Sequence, residues 1–126
     1  MYRFTLAALL GLTAISANAS DILVTTFGQG NVVQLKNASL VCDGENLGSN
    51  IYLERDGVKS QIPFTAIALL RTRQSEHLGF FIKTNSGSEI TRNKMLCSSY
   101  EFVGENEFGG MTSVPGDQWR LVRVRN

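Results

Sequence analysis

Short runs of β-branched and aromatic residues alternate along this chain with clusters of Gly, Asn, Ser and Asp. From residue 22 onward the apolar residues do not follow the 3.6-residue period of a long helix, whereas the period-two alternation of strands recurs. The pair Asp56-Gly57 separates two such runs and predicts a β-hairpin over residues 51–62, because these residues accept the positive φ angles of a tight turn. Further strands are predicted at 22–26, 31–36, 39–42, 80–84, 89–91, 100–103 and 111–114, with helical turns near 65–66 and 117–118. The chain is therefore predicted to be all-β.

Two parts of the chain resemble each other. Residues 62–73 (IPFTAIALLRTR) align with residues 114–125 (VPGDQWRLVRVR), and the two prolines of the chain coincide in this alignment. Residues 39–42 likewise align with 94–97, so that Cys42 and Cys97 also coincide. Chance similarity between short β segments is the alternative, and the joint match of prolines and cysteines argues against it.

The internal repeat leads to a prediction of domain organisation. We expect two tandem similar units of about five short strands each, or one fused barrel or sandwich, linked by a disulfide. The first unit spans residues 20–73 and the second residues 80–126, with a polar linker at residues 74–79.

In both repeated segments a proline ends a strand, because proline cannot donate to the strand ladder. Its fixed φ also suits the first position of a 3₁₀ turn. Each segment has a proline, then such a turn, an apolar residue and a closing strand. This succession resembles the end of a Src-homology-3-type small β-barrel, over about twelve residues in each half (62–73 and 114–125). The resemblance implies a fold of five short strands per unit. It implies no binding residues, because the aromatic groove of the peptide-binding members is not visible at the matching positions. Trp119 aligns with Ile67 and is therefore expected in the core.

The first nineteen residues have the three parts of a cleavable secretory signal peptide. Arg3 supplies the positive charge, residues 5–15 form an apolar stretch, and Ala17-Asn18-Ala19 has the small-x-small pattern of a cleavage site. The apolar stretch is much shorter than the roughly 20 residues that span a bilayer, which disfavours the alternative of an uncleaved anchor. The sequence thus predicts export to the periplasm or the exterior, with cleavage after Ala19.

Removal of residues 1–19 leaves 107 residues (126 − 19), in which 11 Lys and Arg balance 11 Asp and Glu. This balance lacks the basic excess needed for nucleic-acid or anionic-membrane binding, so we predict no nucleic-acid partner and no stable membrane insertion after cleavage.

Both cysteines remain in the cleaved chain, and exported proteins usually pair an even number of them. A bridge between Cys42 and Cys97 closes 55 residues (97 − 42) and stabilises the fold by about 4 kcal/mol; two buried free thiols are the alternative. If the two halves are related by a pseudo-two-fold axis, equivalent cysteines come within bonding distance only beside that axis.

No catalytic, cofactor-binding or metal site is predicted. His77 is the only histidine, and with two bridged cysteines it does not make up a zinc site. A Gly-x-Ser-x-Gly elbow and a Gly-rich phosphate loop are both absent. The acids Glu101, Glu105 and Glu107 cluster in one predicted hairpin, where they are either paired carboxylates of a hydrolase or exposed turn charges.

Four arginines form the only candidate ligand patch. Arg71 and Arg73, and likewise Arg123 and Arg125, alternate along a strand, so each pair projects to one face. They predict a small site for an anionic ligand; cross-strand ion pairs with acids of the other hairpins are the alternative.

These observations favour a non-enzymatic exported binding protein that acts on a protein or cell-wall partner. A small exported hydrolase with paired carboxylates and an inhibitor of an exported hydrolase are the two alternatives.

Overall fold

The computed structural model describes residues 20–28, 30–72 and 78–125; the expected signal peptide, His77 and Arg73 lie outside these ranges. The described chain is built almost entirely of strands, with one 3₁₀ turn. In chain order the elements are β1 (Ser20–Thr26), β2 (Val32–Cys42), β3 (Glu45–Asn46), β4 (Asn50–Arg55), β5 (Val58–Pro63), η1 (Phe64–Ala66), β6 (Ile67–Thr72), β7 (Gly79–Thr84), β8 (Glu89–Met95), β9 (Tyr100–Glu105), β10 (Met111–Pro115) and β11 (Trp119–Arg125). The prediction of an all-β chain is confirmed.

All the strands belong to one curled sheet in the order β10-β9-β2-β1-β11-β6-β7-β8-β4-β5, with β3 beside β2. Every pairing is antiparallel. Strands from the first half of the chain pair with strands from the second half in five pairings: β2 with β9, β1 with β11, β6 with β11, β6 with β7, and β4 with β8. The two halves therefore share one sheet and do not form two separate sheets in tandem.

The strand order has an internal symmetry. The alignment of the cysteines and prolines matches β1 with β7, β2 with β8, β4 with β9, β5 with β10, and β6 with β11. If each strand in the sheet order is replaced by the strand matched with it, the result is the same order read backwards. The midpoint of this order lies between β11 and β6. On one side of this midpoint, β1 and β2 of the first half lie with β9, β10 and β11 of the second half. On the other side, β7 and β8 of the second half lie with β4, β5 and β6 of the first half.

The matched strands β2 and β8 bend in the same way. Asn37 in β2 has a φ of 50° and Arg92 in β8 a φ of 64°, and each lies five residues before its cysteine. The strand registers shift beside both positions, as β-bulges require. Each bent strand pairs mainly with one neighbour at its beginning and with another at its end: β2 with β1 and then β9, β8 with β7 and then β4. The bends thus allow the sheet to curl.

The predicted disulfide is present, with the Cα atoms of Cys42 and Cys97 5.3 Å apart. It joins the ends of the two bent strands, and a hydrogen-bonded turn reinforces it. The carboxylate of Asp43 accepts from the backbone N–H groups of Ser98 (3.2 Å) and Ser99 (2.9 Å). The N–H of Asp43 in turn donates to the carbonyl of Ser99 at 2.8 Å. The chain is therefore clamped at the two points where it leaves β2 and β8.

The turns after the two prolines differ in detail. After Pro63 the chain forms the predicted 3₁₀ turn η1, and the N–H of Ile67 closes it on the first carbonyl of η1. After Pro115 there is a single turn, in which the N–H of Gln118 donates to the proline carbonyl at 3.0 Å. Ile67 and Trp119 follow these turns, and both are fully buried, as their alignment predicts.

Side chains on the inner face of the curled sheet form one hydrophobic core. Phe102 lies among its aromatic residues, with its ring centroid 5.4 Å from that of Trp119, 5.9 Å from that of Tyr100 and 6.5 Å from that of Phe64. Edge-to-face packing of this kind adds to the stabilisation that burial itself provides. The functional surfaces must therefore be sought on the outer face of the sheet and in its loops.

Candidate functional site

The structure places three of the four predicted arginines on adjacent strands, and the fourth, Arg73, lies outside the described residues. Arg71 of β6 is directly opposite Leu121 of β11, and Arg123 of β11 is opposite Leu69 of β6. Side chains directly opposite each other in a sheet share a face, as do residues two apart on one strand. Arg71, Arg123 and Arg125 therefore lie on one outer face across the midpoint of the sheet, and all three are exposed.

One acid lies beside these arginines: Asp21 of β1 is directly opposite Arg125 of β11, and its carboxylate accepts from the N–H of Asn37 at 3.1 Å. The other acids proposed as partners lie farther away. Glu54 and Glu101 are in β4 and β9, and neither strand borders β6 or β11. Asp56 forms its ion pair with Arg92, at 2.8 Å and fully at the surface. Among the described residues no ion pair engages the three arginines. Asp21 is placed to offset the charge of Arg125, whereas Arg71 and Arg123 face no acid directly across a strand pair.

A cleft of about 160 Å³ opens on this outer face over β6, β7 and β8. Half-buried Leu69 and Phe81 line its apolar part, and the exposed charged groups Arg71, Lys83 and Glu89 border it. Lys83 pairs across the strands with both Leu69 and Glu89. Of these residues, the sequence predicted only Arg71 as a ligand residue. Alternation shows which residues of one strand share a face, but it does not show which strands lie next to each other in the sheet.

A second exposed feature is the loop between β9 and β10, which we call the Phe108 loop (residues 105–111). Phe108 is 88% exposed, and Met111 at the start of β10 is 69% exposed. Large apolar side chains at such exposure are informative when they cluster. The sequence predicted this segment only as a polar turn. Phe108, the single aromatic residue within it, is the signal that could have marked it as a binding loop.

Asn106 holds the Phe108 loop in one conformation. Its side-chain oxygen accepts from the N–H groups of Phe108 (2.9 Å) and Gly110 (3.0 Å), and its amide donates to the hydroxyl of Thr112 (3.0 Å). Two backbone hydrogen bonds also close the turn, from Asn106 to Gly110 and from Gly109 to Asn106. An asparagine that bonds to its own backbone in this way is a common means of fixing a turn. Phe108 is thus presented to solvent by an ordered loop.

Glu101 and Glu105 of the predicted carboxylate cluster are not spaced as a hydrolytic pair. Glu101 and Glu105 are four residues apart on β9, a backbone separation of about 13 Å at the strand rise. Glycosidases place their two carboxyl groups roughly 5–9.5 Å apart. Glu105 and Glu107 are both exposed and precede Phe108 in the loop. These two acids therefore belong to the Phe108 loop, whereas Glu101 lies within β9.

Among the described residues, one group has a strongly shifted pKa, and it lies in the core. Burial raises the pKa of Tyr100 to about 12, the hydrogen bond from Trp119 lowers it, and the negative charge of Asp117 raises it. The Tyr100 hydroxyl accepts from Nε1 of Trp119 at 2.8 Å and donates to the carbonyl of Gly116 at 3.3 Å. With both hydrogen bonds made inside the protein, this tyrosine has a structural role.

Within the described residues, no three His, Cys, Asp or Glu side chains come together as a metal site. Nor does any helix of this part of the chain have the length and apolar character required to cross a membrane. Comparison with known protein families, with curated proteins and with solved structures finds no match for this chain. The two surfaces described above are therefore the basis on which a function can be argued.

Proposed function

We propose that this chain is an exported, non-enzymatic binding protein that engages a protein partner through the Phe108 loop. The observation that carries the proposal is the combination of exposure and order. Phe108 is 88% exposed on a loop whose conformation Asn106 fixes through three side-chain hydrogen bonds. A partner that covers this side chain removes a large apolar area from water, and aromatic residues are frequent anchors of interfaces.

An ordered loop binds more tightly than a mobile one because less conformational entropy is lost on association. Burial of a phenylalanine side chain contributes roughly 1.5–3 kcal/mol, which is the size of an interface hot spot. Glu105 and Glu107 precede Phe108 in the loop and are exposed. Charge complementarity therefore favours a partner with an apolar pocket bordered by basic groups.

Export is part of the same proposal. The apolar stretch at residues 5–15 and Ala17-Asn18-Ala19 support cleavage after Ala19. The disulfide between Cys42 and Cys97 is compatible with an oxidising compartment, either the periplasm or the exterior. The test is the intact mass of the protein recovered from its native compartment, which should correspond to a chain that begins at Ser20 with both cysteines oxidised.

We also propose that the chain arose from two copies of one β unit with exchanged strands. The reversible strand order, the matched bends at Asn37 and Arg92, and the disulfide between matched cysteines support this relation. The 3₁₀ turn after Pro63 agrees with the resemblance to Src-homology-3-type barrels. The Phe108 loop and the Asp56-Gly57 turn then occupy matched hairpins, and only the Phe108 loop presents an aromatic residue.

The binding test compares three variants of the exported chain. Phe108→Ala removes the proposed anchor, Asn106→Ala keeps the anchor but removes its support, and Val58→Ala truncates another exposed apolar residue, 63% exposed at the matched hairpin. Proteins crosslinked to the wild type in the native compartment are identified, and the affinity of the purified partner for each variant is measured by calorimetry.

We expect Phe108→Ala to weaken binding by roughly 10- to 100-fold, Asn106→Ala to weaken it less, and Val58→Ala to leave it unchanged. Equal affinity of the wild type and Phe108→Ala for every captured partner would refute the proposal. An inhibitor of an exported hydrolase is the version of this function in which the partner is an enzyme, and the projecting loop favours it. Loss of the partner's turnover on binding is its specific readout.

A further inference from the structure

The Phe108 loop calls for an apolar pocket bordered by basic groups, and this chain carries such a pocket itself. The cleft over β6, β7 and β8 has Leu69 and Phe81 in its apolar part and Arg71 and Lys83 at its border. We propose that the Phe108 loop of one copy docks into this cleft of a second copy, so that the protein assembles head to tail. This inference rests on the proposed binding role of the loop and names a second copy as the partner.

The sizes of the two surfaces agree. The cleft has a volume of about 160 Å³, and a protein cavity of roughly 150 Å³ accommodates a benzene molecule. The cleft is therefore large enough for one phenyl ring. Phe108 is the most exposed of the large apolar side chains in the described residues, so it is free to enter such a cleft.

The charges also agree. Glu105 and Glu107 precede Phe108 in the loop, whereas Arg71 and Lys83 border the cleft. All four charged residues are exposed, and no ion pair joins any of them to a described residue. The cleft also contains one acid, Glu89, which lies opposite Lys83 on β8. The docked glutamates are therefore expected to lie toward the Arg71 side. Exposed ion pairs add little affinity, but they orient the loop, and the juxtaposition of like charges at an interface is strongly unfavourable.

The contact must be between copies. The loop belongs to β9 and β10 at one end of the strand order, whereas the cleft is on β6, β7 and β8, beyond β2, β1 and β11. The exposure of Phe108 shows that the cleft of its own chain does not cover it. A loop that meets a different surface on its neighbour makes a heterologous interface, which builds rings or open chains of copies.

The test measures the oligomeric state of the oxidised exported chain by sedimentation velocity across a range of concentrations. We expect the wild type and Val58→Ala to assemble as concentration rises. We expect Phe108→Ala, which lacks the loop anchor, and Arg71→Glu, which has a repulsive cleft, each to assemble at least tenfold more weakly. Lys83→Glu replaces Arg71→Glu if that variant loses its native near-ultraviolet circular dichroism.

A mixture of the two assembly-defective variants, Phe108→Ala and Arg71→Glu, tests the head-to-tail contact directly. Phe108→Ala retains an intact cleft and Arg71→Glu retains an intact loop, so an equimolar mixture is expected to form a 1:1 dimer and nothing larger. Combining Arg71→Glu with Glu107→Arg in one chain is expected to restore assembly. Failure of the mixture to form the dimer, or assembly of Phe108→Ala as strong as that of the wild type, would overturn the head-to-tail contact.

The outcomes also separate this inference from the binding role on which it rests. A wild type that stays monomeric at every concentration, yet binds a different protein with an affinity that depends on Phe108, overturns self-assembly and leaves the proposed function standing. A monomeric wild type whose Phe108→Ala variant binds every partner equally well overturns both.

Discussion

Replacement of Tyr100 by Phe removes one hydroxyl from the centre of the core and tests how the aromatic cluster is held. Nε1 of Trp119 donates to this hydroxyl at 2.8 Å, and Trp119 is fully buried. Phenylalanine preserves the ring that packs edge-to-face on Phe102 but leaves the indole N–H without its acceptor. An unsatisfied buried donor costs about 1–3 kcal/mol, so Tyr100→Phe should destabilise the fold by that amount near neutral pH.

The pH dependence of this loss has a definite sign. Burial raises the pKa of Tyr100 from 10.0 to about 12 in the folded chain, so folding disfavours the ionised phenol. The stabilisation associated with the protonated tyrosine is fully present below pH 10 and is lost as the pH rises toward 12. A shift of this size corresponds to about 2–3 kcal/mol. Tyr100→Phe has no such group, so its stability relative to the wild type should recover over this range.

The assay is urea denaturation of the oxidised wild type, Tyr100→Phe and Tyr52→Phe at pH values from 7 to above 10, followed by tryptophan fluorescence. Tyr52 is half-buried and its hydroxyl makes no hydrogen bond with a described residue, so it controls for the loss of a phenol. Equal free energies of unfolding for wild type and Tyr100→Phe at pH 8, or a difference that grows above pH 10, would refute the reasoning.

Three further changes test the rest of the fold by the same denaturation assay. Gly116→Ala should lower the free energy of unfolding by about 1–3 kcal/mol, because an added Cβ would lie 2.6 Å from the ring of Tyr100. In the control Gly110→Ala the atom nearest to the added Cβ is 3.4 Å away, so equal losses of stability in the two variants would contradict this reasoning. Replacing both Cys42 and Cys97 by Ser should cost about 4 kcal/mol, and an unchanged unfolding midpoint would show that the bridge contributes nothing. Asn93→Leu should cost about 1–3 kcal/mol, since the buried amide donates to two backbone carbonyls of β7 and β8; a more stable variant would count against that role.

Local signals predicted the short-range structure well. The hairpin of β4 and β5 has its turn at Asp56 and Gly57, both with positive φ, as this residue pair requires. The turn after Pro63 and the burial of Trp119 also follow from the residues immediately around them. In each case the preference arises from backbone geometry or side-chain character within a few residues, so the sequence signal is complete on its own.

The lengths of the bent strands were underestimated. The sequence predicts separate strands at 31–36 and 39–42, whereas β2 continues through both and bends at Asn37. Likewise a strand was predicted only at 89–91, whereas β8 extends to Met95 through its bend at Arg92. A bulge breaks the period-two alternation, so one bent strand resembles two short ones or an early end.

The candidate binding surfaces depend on neighbours distant in sequence. Alternation predicted that Arg71 projects to one face, but the proximity of Arg123 follows from the pairing of β11 with β6. Lys83 joins the cleft because β7 lies on the other side of β6. The prominence of Phe108 depends on what the folded chain leaves uncovered, and no local pattern contains that information.

The amino-acid pattern was sufficient to indicate an all-β chain, the cysteine bridge and the similarity between its halves. These properties are determined by backbone preferences, period-two burial and repeated residue types, all of which can be read along the chain. The pairing of strands from one half with strands from the other is a property of the folded state. The alternation of β9 would be satisfied equally by pairing with β2, as observed, or with a strand of its own half of the chain. Which pairing forms is decided by the summed packing of strands far apart in sequence. The curled sheet, its outer cleft and the exposed Phe108 loop follow from that choice.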